Sequence, residues 1–131
     1  VVGIMKLTTC LLLTSLLATT IFPWEQKFSW SEKTGLKENI YYKEKIEELE
    51  GAFFYDETLG TVFLISKKPI FKEKTTDLTL DNKTVKFWRV NDYVSQLEPE
   101  DLNSFLKITT EKQTLASISN IKFKIKKLKG E

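Results

Sequence analysis

Hydrophobic residues are distributed differently in the two parts of this chain. From residue 7 to residue 22 it reads LTTCLLLTSLLATTIF, sixteen positions without a charge. Leu11, Leu12, Leu13, Leu16 and Leu17 are its strongest stretch, interrupted only by Thr14 and Ser15. Beyond residue 24 the apolar runs are short, rich in β-formers and separated by turn residues. Continuous apolarity suits lipid, whereas short runs and alternation suit a sheet with one buried face.

The leading run predicts an apolar helix directed at a membrane. Lys6 precedes it, and Glu25 and Lys27 come after. Positive charge therefore leads, which keeps the N-terminus inside and exports the remainder of the chain. Phe22, Trp24, Phe28 and Trp30 come next, as interface-seeking rings do at the end of a span, and Pro23 would end the helix. Residues 1–24 are expected to be a retained anchor, carried by the five leucines with Phe22 and Trp24. Sixteen residues fall short of a full span of about 20, a deficit that tilt or local thinning accommodates. A cleaved signal peptide is the rival reading. Met5-Lys6 gives it a charged start and Ala18 a small residue near a cleavage point, although Leu16 stands where a second small residue is preferred. Too little apolar chain precedes Cys10 for a lipoprotein signal.

Residues 25–37 are mixed and polar and read as a tether. Residues 38–131 are expected to form one small α+β domain with a largely antiparallel sheet and one or two short helices. Ile46 and Leu49, with Lys43 and Glu47 paired outside, predict a helix over 43–50 that Gly51 stops. Residues 52–55 and 61–65 predict a hairpin closed through Gly60. The run 62–65 is apolar on both faces, as in a strand covered on both sides. Another strand is expected over 70–74, with Pro69 at its edge. Residues 77–80 and 84–90 flank Asp81-Asn82-Lys83 as a second hairpin, with Val85 and Phe87 facing one way and Lys86 and Trp88 the other. Pro99, Glu100 and Asp101 open a helix that buries Leu102, Phe105 and Leu106. Leu115 and Ile118 are expected to be buried in the ambiguous stretch 109–120. Residues 121–126 (IKFKIK) alternate strictly, apolar inward and Lys outward.

Composition narrows the chemistry. There is no His, and Cys10 is the only cysteine. His-based acid–base catalysis, Ser-His or Cys-His nucleophile pairs and Cys/His zinc sites are thereby excluded. Nineteen of the 20 basic residues are Lys, and the net charge is only +2. Both argue against a nucleic-acid partner, which favours Arg forks and a larger basic excess. Charge is nevertheless polarised: residues 32–66 carry eight acids and four lysines, residues 67–131 fourteen bases and nine acids.

Candidate sites are few. Lys122, Lys124, Lys126, Lys127 and Lys129 are the densest basic feature and are candidates for partner contact, although outward Lys also keeps a strand from pairing edge to edge. Trp88 beside Arg89 is a possible stacking platform or a half-buried sheet residue. The acid pairs Glu47/Glu48 and Asp56/Glu57 lack the spacing of a calcium loop. The five glycines are scattered singly, so no phosphate loop is present. No catalytic residue, metal site, cofactor or small-molecule substrate is expected.

The function expected by subtraction is that of a non-enzymatic exported protein. It is tethered to the bilayer by its N-terminal helix, outside the cytoplasm, and serves as a protein-binding or assembly subunit of a membrane-associated complex. Its contact elements would be the hairpin 52–65 and the Lys-faced last strand. The alternatives are a secreted ligand-binding or inhibitory protein, an organellar membrane-complex subunit, or a pilin-like subunit. The last resembles the pilin plan in architecture alone: the glutamate expected early in a pilin helix is missing, and Lys6 sits at an apolar position.

Overall fold

The computed structural model of the protein describes residues 24–30, 32–35 and 37–128. Its strands are β1 (Glu25–Trp30), β2 (Lys37–Ile46), β3 (Gly51–Asp56), β4 (Thr61–Ser66), β5 (Thr75–Leu80), β6 (Lys83–Asn91), β7 (Val94–Leu97), β8 (Thr114–Ile118) and β9 (Ile121–Ile125). One α-helix, α1 (Leu102–Glu111), and two 3-10 turns, Glu47–Leu49 and Pro99–Asp101, complete the described elements. All nine strands join one sheet in the order β1-β2-β3-β4-β7-β6-β5-β8-β9. Every pairing in it is antiparallel.

This corrects the expected α+β fold: the described chain is mostly β, a curled nine-stranded sheet with one short helix. The expected N-terminal apolar helix, with Leu11, Leu12, Leu13, Leu16, Leu17 and Phe22, lies outside the described residues. The stretch read as a tether contains β1, which pairs with β2 from Glu25↔Lys43 onward. The helix expected over 43–50 is the end of β2 followed by a single 3-10 turn. Ile40, Tyr42, Glu44 and Ile46 face inward at a period of two, and the buried carboxylate among them disguises the alternation. Residues 70–74 form no strand; Phe71 instead drops into the core. Arg89 holds this loop, with Nε donating to the Phe71 carbonyl (2.9 Å) and the guanidinium also bonded to the Asp92 carboxylate.

Both expected hairpins form. Gly60 adopts φ +68° between β3 and β4, and Asp81 adopts φ +54° between β5 and β6. Leu115 is on the solvent side, 62% exposed, whereas Ile118 is buried. In β9 the alternation buries Phe123 and Ile125 and leaves Ile121 part-exposed at the strand start.

The core lies on the concave side of the curl, and α1 supplies Phe105 to it. Phe53 is its centre, with ring centroids 5.9–6.2 Å from Phe105, Phe87, Trp24 and Phe123. These rings come from β3, β6, β9, the helix and the residue before β1, so one cluster ties remote elements together. Curling also brings the chain after β9 back against β2. The Lys126 N–H donates to Glu44 Oε2 (2.7 Å), Trp24 Nε1–H donates to the Lys126 carbonyl (2.8 Å), and the Trp24 N–H donates to the Leu128 carbonyl (3.1 Å). Leu128 in turn donates to the Thr109 carbonyl at the end of α1 (2.7 Å). Trp24, expected at a membrane interface, is 3% exposed and belongs to this closure.

Candidate functional site

The inward set of each strand is spent on the core, which leaves the outward set as the candidate surface. Across β2, β3, β4, β7 and β6 the register aligns Lys43, Phe54, Phe63, Gln96 and Trp88 in one row. Four inter-strand gaps of about 4.8 Å make that row about 19 Å long. Phe54, Phe63 and Trp88 are all half-buried on the solvent side. Tyr41 packs diagonally on Phe54 with ring centroids 6.3 Å apart, and Lys43 Nζ lies 5.7 Å from the Phe54 centroid. A second row, Lys45, Ala52, Ile65 and Val94, runs beside the first. Ile65 is 38% exposed, and Val90 and Tyr93 are also open to solvent near the β6–β7 turn.

Among the described residues, the run 62–65, expected to be covered on both faces, is covered on one. Val62 and Leu64 are fully buried, while Phe63 and Ile65 face outward with no described helix above them. At one end of the rows Lys43, Lys45, Lys67, Glu47, Glu50 and Phe54 line an open depression of about 520 Å³. Its floor is low because Gly51 and Ala52 carry little or no side chain.

Of the expected contact residues, Trp88 lies on this face. Lys122 and Lys124 are exposed on β9, and Lys126 is exposed just beyond it. The structure does not bring these lysines together with Trp88, since β5 and β8 separate β6 from β9. Lys122 and Lys124 instead border a second open groove of about 780 Å³, with Leu115, Ser117, Asn82 and Lys112. Lys112 is paired there with Asp81 at 3.2 Å. Tyr41, Phe54, Phe63 and Ile65 do not stand out as a surface in the sequence. Their signal is an outward parity opposite buried neighbours, which becomes visible once the register is known.

Two carboxyl groups are displaced from their ordinary titration. Burial pushes Glu44 upward, opposed by the Lys126 N–H bond and the Lys126 charge. The Arg89 hydrogen bond holds Asp92 below the usual aspartate range, with Lys72 adding to the effect. Both groups serve packing, one at the seam and one at the loop 67–74. Among the described residues no cluster of three or more His, Cys, Asp or Glu side chains could hold a metal ion. No helix among them is long and apolar enough to cross a membrane, and residues 7–22 lie outside that description. No family model, curated protein or solved structure matches the chain.

Proposed function

We propose that this chain is a membrane-tethered exported protein whose sheet domain binds a protein partner through its outer aromatic face. The observation that carries the reading is the in-register row Lys43–Phe54–Phe63–Gln96–Trp88. Rings left on the open side of a sheet cost solubility and offer large contact area at little conformational entropy, the economy of a binding surface. The lysines beside them define the partner's chemistry: an apolar contact patch bordered by carboxylates that meet Lys43, Lys45 and Lys67. The tether is the uncharged stretch 7–22, whose flanking charges favour export of the domain.

Mild-detergent purification of the full chain, with and without Phe54→Thr/Phe63→Thr, tests the surface. Thr keeps strand propensity while removing the rings. The co-purifying protein is expected to be lost while thermal melting of the variant stays within a few degrees. Undiminished capture by the folded double variant overturns the proposal.

A further inference from the structure

The chain has five asparagines, and only Asn82 has a serine or threonine two positions further on, in Asn82-Lys83-Thr84. That spacing, with a residue other than proline between, is the acceptor sequence for an N-linked glycan. Such a triplet carries weight only where the fold leaves it reachable and gives it no other task.

Both conditions are met here. The triplet sits at the tip of the β5–β6 hairpin, and Asn82, Lys83 and Thr84 are all exposed. The duties of the turn fall to Asp81. It takes the positive φ of +54°, its N–H donates to the Leu115 carbonyl (2.9 Å), and its carboxylate is paired with Lys112 at 3.2 Å. Asn82 does not adopt a positive φ, and its carboxamide has no hydrogen-bond partner among the described residues. The Thr84 hydroxyl is equally free, on the outward side of β6 opposite Thr79. An asparagine with neither a strained turn to relieve nor a bond to make is not explained by the fold.

Building on the export proposed above, we propose that Asn82 is the attachment site of an N-linked glycan. The donor is an oligosaccharide joined through pyrophosphate to a polyprenol, on the non-cytoplasmic side of the membrane. Asn82 Nδ2 attacks the anomeric carbon as the bond from that carbon to the pyrophosphate breaks. The pyrophosphate leaves on its lipid, and the amide proton passes to a base of the transferase, which recognises the Thr84 hydroxyl. The first sugars lie over the groove that Asn82 shares with Leu115, a side chain left 62% exposed by the protein alone. Trp88 is six residues further along β6, about 20 Å from Asn82, so the aromatic row stays clear of the attachment point.

The test is translation of the full chain into endoplasmic reticulum microsomes, with protease added outside. Protease-protected chain is expected to run one glycan heavier, a step that peptide N-glycosidase reverses while converting Asn82 to aspartate in the peptide mass. Asn82→Gln and Thr84→Val abolish the step, and Thr84→Ser keeps it. The fold survives these changes because both positions are exposed and Asp81 holds the turn. Chain exported by the native host should carry a glycan on the same peptide. Protected or exported chain with bare Asn82, or a step that survives Asn82→Gln, overturns the acceptor and leaves export standing. Chain that stays open to the protease overturns export, and the acceptor with it.

Discussion

Glu44 is the only charged side chain buried among the described residues, and it accepts the hydrogen bond that closes the curl. Its folded-state carboxyl titrates above the ordinary value of 4.5 because burial penalises the anion. The folded chain thus holds this proton more tightly than the unfolded chain. The stability it contributes is complete below the unfolded pKa and is lost as pH rises through the folded one. Glu44→Gln keeps an acceptor for Lys126 and cannot ionise. It should melt above the wild type at pH 7, and the gap should close on acidification below 4.5. Glu44→Ala, by contrast, strands the Lys126 N–H at a cost of about 1–3 kcal/mol. Thermal melts from pH 4 to pH 8 check both, and a Gln variant less stable than the wild type at pH 7 would refute the sign. Glu44 also shows why this stretch misleads at the scale of residues. Ile40, Tyr42 and Ile46 carry the strand signal, but a carboxylate among the inward positions looks like a helix surface until its partner, 82 positions away, is known.

At the scale of elements, Gly51 marks how closely β3 and β4 approach. A Cβ placed there would sit 2.1 Å from the Ile65 carbonyl oxygen and 2.9 Å from the Ser66 Cα. These are main-chain atoms of a paired strand and cannot step aside cheaply. Gly51→Ala should therefore cost about 1–3 kcal/mol, the range for overpacking, and urea denaturation measures it. An unchanged midpoint would mean that the β3–β4 register differs from Gly51↔Ser66. The two hairpins are legible in the sequence because Gly60 and the Asp81-Asn82 pair are local turn chemistry lying between β-formers. The helix after Pro99 is legible for the same reason: Pro in the first turn and acids behind it. Strand β7 is not, since its inward Ser95 and outward Gln96 leave Leu97 and Val94 too few to set a period. Strand β1 reads as a tether because a polar edge strand has only one neighbour to satisfy.

The whole molecule depends on contacts that no local pattern announces. Trp24 reads as the last ring of a membrane segment, yet its indole is bonded to the Lys126 carbonyl and packed among Phe53 and Phe105. The same ring thus joins the stretch 7–22 to the sheet without an intervening linker. The outer aromatic row emerges only from the strand order, because β7 inserts between β4 and β6 and carries the row from Phe63 to Trp88. The proposed polarity of insertion, by contrast, is read from a local feature, Lys6 ahead of the uncharged stretch. Sidedness is the claim on which the proposed tether and partner surface both rest. It is tested most directly by placing a single thiol on the sheet domain, with Leu59→Cys in a Cys10→Ser background. Leu59 is 70% exposed at the β3–β4 turn. In intact cells of the native host, a membrane-impermeant maleimide should label position 59 on chain that sediments with membranes. Labelling only after lysis, or recovery of the chain from the cytosolic supernatant, would contradict the account.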